Sequence, residues 1–128
     1  MLVATGNAND KHYKASVELL SSYDGELVVP MLVITEVAYF LGKLGPQTEK
    51  RFLDDLAAGA FRVEPVLDSD WQRIGELVVK YGDWPLGTVD ASIVATAERL
   101  GIHEVATIDH KHFLAIRPTH VQGFSVLP

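Results

Sequence analysis

Cysteine is absent from the 128 residues, which excludes a disulfide framework, a thiolate zinc site and a thiol nucleophile. Long apolar runs are missing too. The uncharged stretch from Leu27 to Thr35 is far too short to span a bilayer and contains Pro30. Residues 1–10 lack a basic segment followed by an apolar one, so no secretory signal is visible and a soluble, cytoplasmic protein is expected. Basic charge is scarce: 11 Lys and Arg against 17 Asp and Glu give a net charge of −6. That balance speaks against a sequence-independent binder of duplex DNA. It leaves nucleases open, because carboxylates gathered around a divalent cation depress net charge while the cation attracts phosphate locally. With 48% apolar and 22% charged residues, the chain has enough core for one folded domain spanning residues 1–128.

Periodicity predicts alternating helices and short strands. A helix from Asp10, as N-cap, to about Tyr23 carries Tyr13, Val17 and Leu20 on one stripe. A strand over 26–29 closes at Pro30, and a helix over 32–44 ends at Gly45-Pro46. Pro46 opens a further helix that Gly59 stops. A strand over 61–65 precedes a helix from Asp68 to about Tyr81, and a helix over Thr88–Leu100 is stopped by Gly101. Strands follow over 105–108 and 124–126. This order implies an α/β fold with a mainly parallel sheet flanked by helices, and ligands bind such sheets beyond the carboxyl ends of the strands. No repeat, low-complexity segment or linker divides the chain. A chain of this kind should open with a strand, and only Leu2-Val-Ala-Thr5 is available for it, so the beginning reads as clipped.

Three carboxylates stand out. Glu36 is the only charge between Glu26 and Lys43, in surroundings apolar enough to be buried nearly all round, where a carboxylate is costly unless compensated. The bland alternative is a Glu on one solvent-facing stripe. Asp90 is the only charge between Asp83 and Glu98. A first-turn acid satisfies the helix dipole, but that leaves the preceding Pro85-Leu86-Gly87 loop and the small neighbours Ala91 and Ser92 unexplained. Small neighbours let a backbone or ligand approach closely. Asp109 directly follows a strand, at the edge where parallel sheets bind ligands; its alternative is a turn or cap acid. Together the three suggest a shared oxygen-ligand site, suited to Mg²⁺ or Mn²⁺ rather than zinc or copper.

Thr35-Glu36-Val37-Ala38, Pro85-Leu-Gly-Thr-Val-Asp-Ala-Ser92 and Ala106-Thr-Ile-Asp-His-Lys-His-Phe113, in that order and spacing, resemble the PIN-domain ribonucleases, and among them the VapC-type toxins of toxin–antitoxin pairs. The resemblance covers nearly the whole chain. It implies a three-layer PIN-like domain and a four-acid pocket holding Mg²⁺ or Mn²⁺ at the carboxyl edge of the sheet. Glu36, Asp90 and Asp109 match the second, third and fourth acids of that pocket as catalytic and metal-binding residues, and Thr107 matches the polar residue before the last acid. It implies in-line hydrolysis of RNA, leaving 5′-phosphate and 3′-hydroxyl ends, with tRNA or rRNA as substrate. It also implies a homodimer and a cognate VapB-type antitoxin that sets a basic side chain near the acids.

The family's first acid lies at the end of an opening strand and has no counterpart here. Residues 2–12 resemble the segment C-terminal to that motif, and none of Asn7, Asn9 and Asp10 is assigned its role. The expectation is a start placed about ten residues late, judged from strand-first topology. The alternative function is a catalytically silent module that binds antitoxin or RNA. A third reading, a phosphoacceptor domain, has only Lys111 to offer the phosphate. Of the five histidines, His110 and His112 fall in an expected loop, and His12 lies early in the first helix, where it faces solvent or the pocket. Neither thiols nor a His-x-x-x-His pair supports a separate His metal site. Lys11, Lys14, Lys43, Lys50, Arg51, Lys111 and Arg117 are candidate phosphate contacts with nothing to rank them. Trp71, Tyr81 and Trp84 read as core or interface residues, and Gly42-Lys-Leu-Gly45 lacks the spacing of a phosphate loop.

Overall fold

The computed structural model describes residues 2–6, 8–84, 86–107 and 109–127. Its elements run α1 (Leu2–Thr5), α2 (Tyr13–Ser22), β1 (Val28–Pro30), α3 (Met31–Lys43), α4 (Pro46–Ala57), β2 (Arg62–Glu64), α5 (Asp68–Lys80), α6 (Thr88–Leu100), β3 (Glu104–Ala106), α7 (His110–Ala115) and β4 (Ser125–Leu127). The order is the α/β alternation expected from periodicity. Pro46 occupies the first turn of α4, and Gly101 ends α6 in the left-handed region at φ 69°, where a side chain would be strained.

Among the described residues the strands are parallel, as expected, and form two pairs. β1 runs beside β2 with Val29 opposite Val63, and β3 runs beside β4 with Val105 opposite Val126. Each pair has its own hydrophobic cluster. Val37, Leu41 and Phe52 bury beside the first, while Leu77, Val94, Phe113 and Phe124 bury within the second. In the second cluster Ala91, Ala95 and Ala97 keep the surface of α6 low, so α5 packs closely along it.

Several local expectations are corrected. Leu2–Thr5 is a short helix rather than an opening strand. Asp10 does not cap a helix at its own position: its carboxylate accepts the His12 N–H at 2.8 Å in a turn, and the helix starts at Tyr13. The strands shift by one or two residues, to 28–30, 62–64, 104–106 and 125–127, and Ile108, placed in the third strand, lies outside the described residues, as do Asn7 and Pro85. His110 begins a helix rather than lying in a loop. Trp71 is half exposed and Trp84 is also on the surface, so neither is core; only Tyr81 is partly buried, its hydroxyl accepting the Arg117 N–H at 3.0 Å.

Ion pairs lock the strands and helices of the two halves. Arg99 of α6 donates to Asp70 of α5 at 3.0 Å and to Glu64 of β2 at 2.9 Å. Arg73 of α5 donates to Glu98 of α6 at 3.0 Å, and Thr119 donates its hydroxyl to the same carboxylate. Burial alone would raise the pKa values of Asp70 and Glu98, but these donors, with the Leu67 N–H on Asp70, outweigh it and hold both carboxyls below their ordinary values. A carboxylate depressed in the folded state stabilises the fold above its unfolded pKa, and that stabilisation is lost as pH falls through the folded value. Urea unfolding is therefore expected to be insensitive to pH above about 5 and to weaken steadily below about 4. Asp70→Asn should lower the plateau and flatten the acid limb; an unchanged acid limb would contradict this assignment.

Candidate active site

The residues singled out from sequence converge on one cavity of about 540 Å³ between the two strand pairs. Glu36, Asp90, Thr107 and Asp109 all line it, although 73 residues separate the first acid from the last along the chain, 109 minus 36. Each is delivered by a different local device. α3 begins directly after β1, and its face of Val33, Glu36, Val37 and Phe40, at helical spacing, forms one wall. α6 contributes Val89, Asp90, Ile93, Thr96 and Ala97 on the matching face, with Asp90 in the first turn, where the helix dipole favours negative charge. Thr107 and Asp109 follow β3, and the Asp109 N–H donates to Thr107 Oγ1 at 3.0 Å, fixing the turn that carries the acid.

Burial of these side chains differs from expectation in one case. Glu36 is exposed at the cavity wall rather than enclosed by its apolar neighbours, because Val37 and Leu41 take the inward positions of α3. Asp90 and Asp109 are half-buried, and both take part in contacts of their own within the fold. Ala91 and Ser92 are buried in the α5–α6 packing, with Ser92 Oγ donating to the Val89 carbonyl at 2.5 Å, so their small size serves helix packing rather than ligand approach.

The donor chemistry suits a hard divalent cation: carboxylates and two threonines, Thr96 and Thr107, line the cavity, with no Lys, Arg or His among its described lining residues. The donor count falls short. Among the described residues no three of His, Cys, Asp and Glu stand close enough to hold a metal ion by themselves. The sequence reading singled out Glu36, Asp90 and Asp109 but not Glu104, which also lines the cavity and accepts from the Tyr23 hydroxyl at 3.0 Å; the apolar residues that wall the cavity, Ile93 and Phe113 among them, became visible with the fold.

Three of the seven basic candidates are engaged elsewhere. Lys50 pairs with Asp54 at 2.7 Å, Lys43 stacks over Tyr39 with its ammonium 4.6 Å from the ring centre, and Arg117 donates to the Leu114 carbonyl at 2.9 Å. His120 donates from Nε2 to the Ile102 carbonyl, away from the acids.

An α/β domain whose acids, borne on two helices and after a parallel strand, share one cavity fits a PIN-domain nuclease, and the PIN domain family matches residues 1–117, so this chain belongs to that family. Ribonuclease VapC26 of Mycobacterium tuberculosis (strain ATCC 25618 / H37Rv) is 30% identical to it over 128 residues, 99% of this chain and 95% of that protein. This is the VapC type of ribonuclease. The crystal structure of Mycobacterium tuberculosis VapC20, a sarcin–ricin-loop-cleaving toxin, shares the fold with a TM-score of 0.75 at 22% identity over 80% of each chain. Among the described residues no helix is long and apolar enough to cross a membrane.

Proposed function

We propose that this chain is a toxin endoribonuclease that hydrolyses phosphodiester bonds in tRNA or rRNA, with Mg²⁺ or Mn²⁺ held by Glu36, Asp90 and Asp109. The observation that carries the reading is the meeting of these three acids and Thr107 on one open cavity at the strand ends. A divalent cation there supplies Lewis acidity, making water nucleophilic near neutral pH and stabilising charge on the leaving oxygen. The protein's own groups prepare the place. Asp90 sits on the positive end of α6, and Thr107 holds the Asp109 turn. The exposed Glu36 borders the mouth, where phosphate would enter. Single-stranded loops of structured RNA are the targets such a mouth can admit, because their bases can be splayed out.

The protein works in the cytoplasm as a homodimer, restrained by a cognate VapB-type antitoxin. A basic antitoxin side chain placed among the acids would occupy the charge otherwise taken by the cation. Digestion of total tRNA and rRNA in Mg²⁺, Mn²⁺ or EDTA tests the reading. Discrete cuts with 5′-phosphate ends are expected with metal and none in EDTA. Cuts that persist in EDTA, or RNA binding with no cuts in any metal by the folded protein, would overturn it.

A further inference from the structure

α3 carries two unlike faces. Val37 and Leu41 are buried with Phe52 of α4, as the inner stripe of an amphipathic helix should be. A second stripe, Glu36, Tyr39, Phe40 and Lys43, has i, i+3, i+4, i+7 spacing and lies within an arc of about 100°. All four of its residues are exposed, Tyr39 at 62% and Phe40 at 41%. The two rings meet edge to face with their centres 5.5 Å apart. The Lys43 ammonium lies 4.6 Å from the centre of the Tyr39 ring and 5.3 Å from that of Phe40. Single exposed apolar side chains are ordinary, but two touching rings with a cation over them form a patch. That patch is continuous with the candidate active site, because Glu36 and Phe40 line the cavity.

We infer that Tyr39, Phe40 and Lys43 form a platform that holds RNA beside the cavity: an unpaired base stacks on the aromatic pair, and the Lys43 ammonium contacts an adjoining phosphate. The inference rests on the ribonuclease reading and adds to it the groups that hold the substrate. Two observations select a single-stranded nucleotide as the occupant. The first is charge. The chain carries a net charge of −6, and the described lining of the cavity brings Glu36, Asp90, Glu104 and Asp109 with no Lys, Arg or His. The phosphates on either side of the one being cut therefore need a cation outside that lining. Lys43 supplies one on the same helix, seven residues beyond Glu36 (43 minus 36), which is about 10 Å along the axis at roughly 1.5 Å per residue. The second observation is the pairing of two chemistries in one place. A nucleotide offers a π face next to an anion, and the platform offers aromatic rings next to an ammonium. Contact with a ring on one side leaves the ammonium's N–H donors for phosphate oxygens on the other. An apolar protein surface laid over the same rings would desolvate the ammonium and give it no acceptor. Bases within a duplex are stacked on one another already, so the platform selects loops whose bases are splayed out.

The test uses an RNA hairpin whose loop carries the fluorescent base 2-aminopurine, which stacking quenches, and a fully paired duplex of the same composition. Binding is measured in Mg²⁺ with Asp90→Asn as the background, so that the probe stays intact. In that background Tyr39→Leu should weaken hairpin binding at least about fivefold and remove the quenching, while Tyr39→Phe keeps both. Lys43→Gln should weaken binding and lower the slope of log affinity against log salt by about 0.7, and Lys43→Arg should restore the slope. In the otherwise unaltered chain, Tyr39→Leu should raise KM for RNA more than it lowers kcat, with Mn²⁺ affinity unchanged. Trp71→Leu, which removes an exposed ring on α5 away from the cavity, should leave hairpin binding as it was. Hairpin affinity that is indifferent to both Tyr39→Leu and Lys43→Gln would overturn the platform, and so would a duplex bound as tightly as the hairpin. A loss of affinity that only follows a loss of dimer in sedimentation would also overturn it, and would assign this face to contact between two copies of the chain. Quenching that depends on Tyr39, with no cleavage by the unaltered chain in any metal, would count against the ribonuclease reading alone and leave the platform standing.

Discussion

Asp90→Asn is expected to reduce metal-dependent RNA cleavage by at least about 100-fold. The substitution is nearly isosteric and keeps the residue in the first turn of α6, so helix and packing should survive. What it removes is a full negative charge from the three acids that line the cavity. A loss of about 3 kcal/mol in transition-state stabilisation corresponds to that factor. Glu18→Gln, on the exposed face of α2, should leave cleavage unchanged and serves as the charge-matched control. If the two variants cleave alike, the cavity is not the reaction centre.

The second large effect concerns the platform beneath that site. Arg99→Met is expected to lower unfolding free energy by about 3 kcal/mol, because it leaves the buried carboxylate of Asp70 without its cation and Glu64 with Arg62 alone, at 3.2 Å. For a domain of this size that is a fall of roughly 10 °C in Tm. Replacing all three members together, Glu64→Leu, Asp70→Leu and Arg99→Leu, should recover much of the loss, since the cost is that of an uncompensated charge rather than of a missing attraction. A fall below about 0.5 kcal/mol for Arg99→Met would place the cluster among ordinary surface pairs. The cluster matters to function because it fixes α6 against β2 and α5, and α6 presents Asp90.

Helices with strong punctuation were legible from sequence. Thr88–Leu100 was read to the residue, because Gly87 and Gly101 bracket a run of small apolar residues. α4 was equally clear between Gly45-Pro46 and Gly59. Solitary charge in apolar segments and a strand end singled out Glu36, Asp90 and Asp109, and the family resemblance singled out Thr107; all four line the one cavity. Strand bounds were less legible, since three-residue strands carry little periodicity and their limits are set by a partner strand. Leu2–Thr5 has the β-branched, apolar composition of a strand, yet as a short helix its Leu2 packs against the α3–α4 cluster. Glu36 was misjudged in burial because composition counts neighbours along the chain, whereas the helix turns Val37 and Leu41 inward and leaves Glu36 on the wall of the cavity. The Arg99 cluster joins positions 29 and 35 residues apart and leaves no local mark in the sequence.

The central claim is that Glu36, Asp90 and Asp109 act as one cation site at the strand ends. Titration of Mn²⁺ into the protein and into Glu36→Gln, Asp90→Asn and Asp109→Asn, followed by calorimetry, addresses it directly. The account predicts a single class of site in the unaltered chain, weakened at least about tenfold by each substitution, with double variants no worse than additive losses imply. Mn²⁺ binding of equal strength in all four proteins would contradict it.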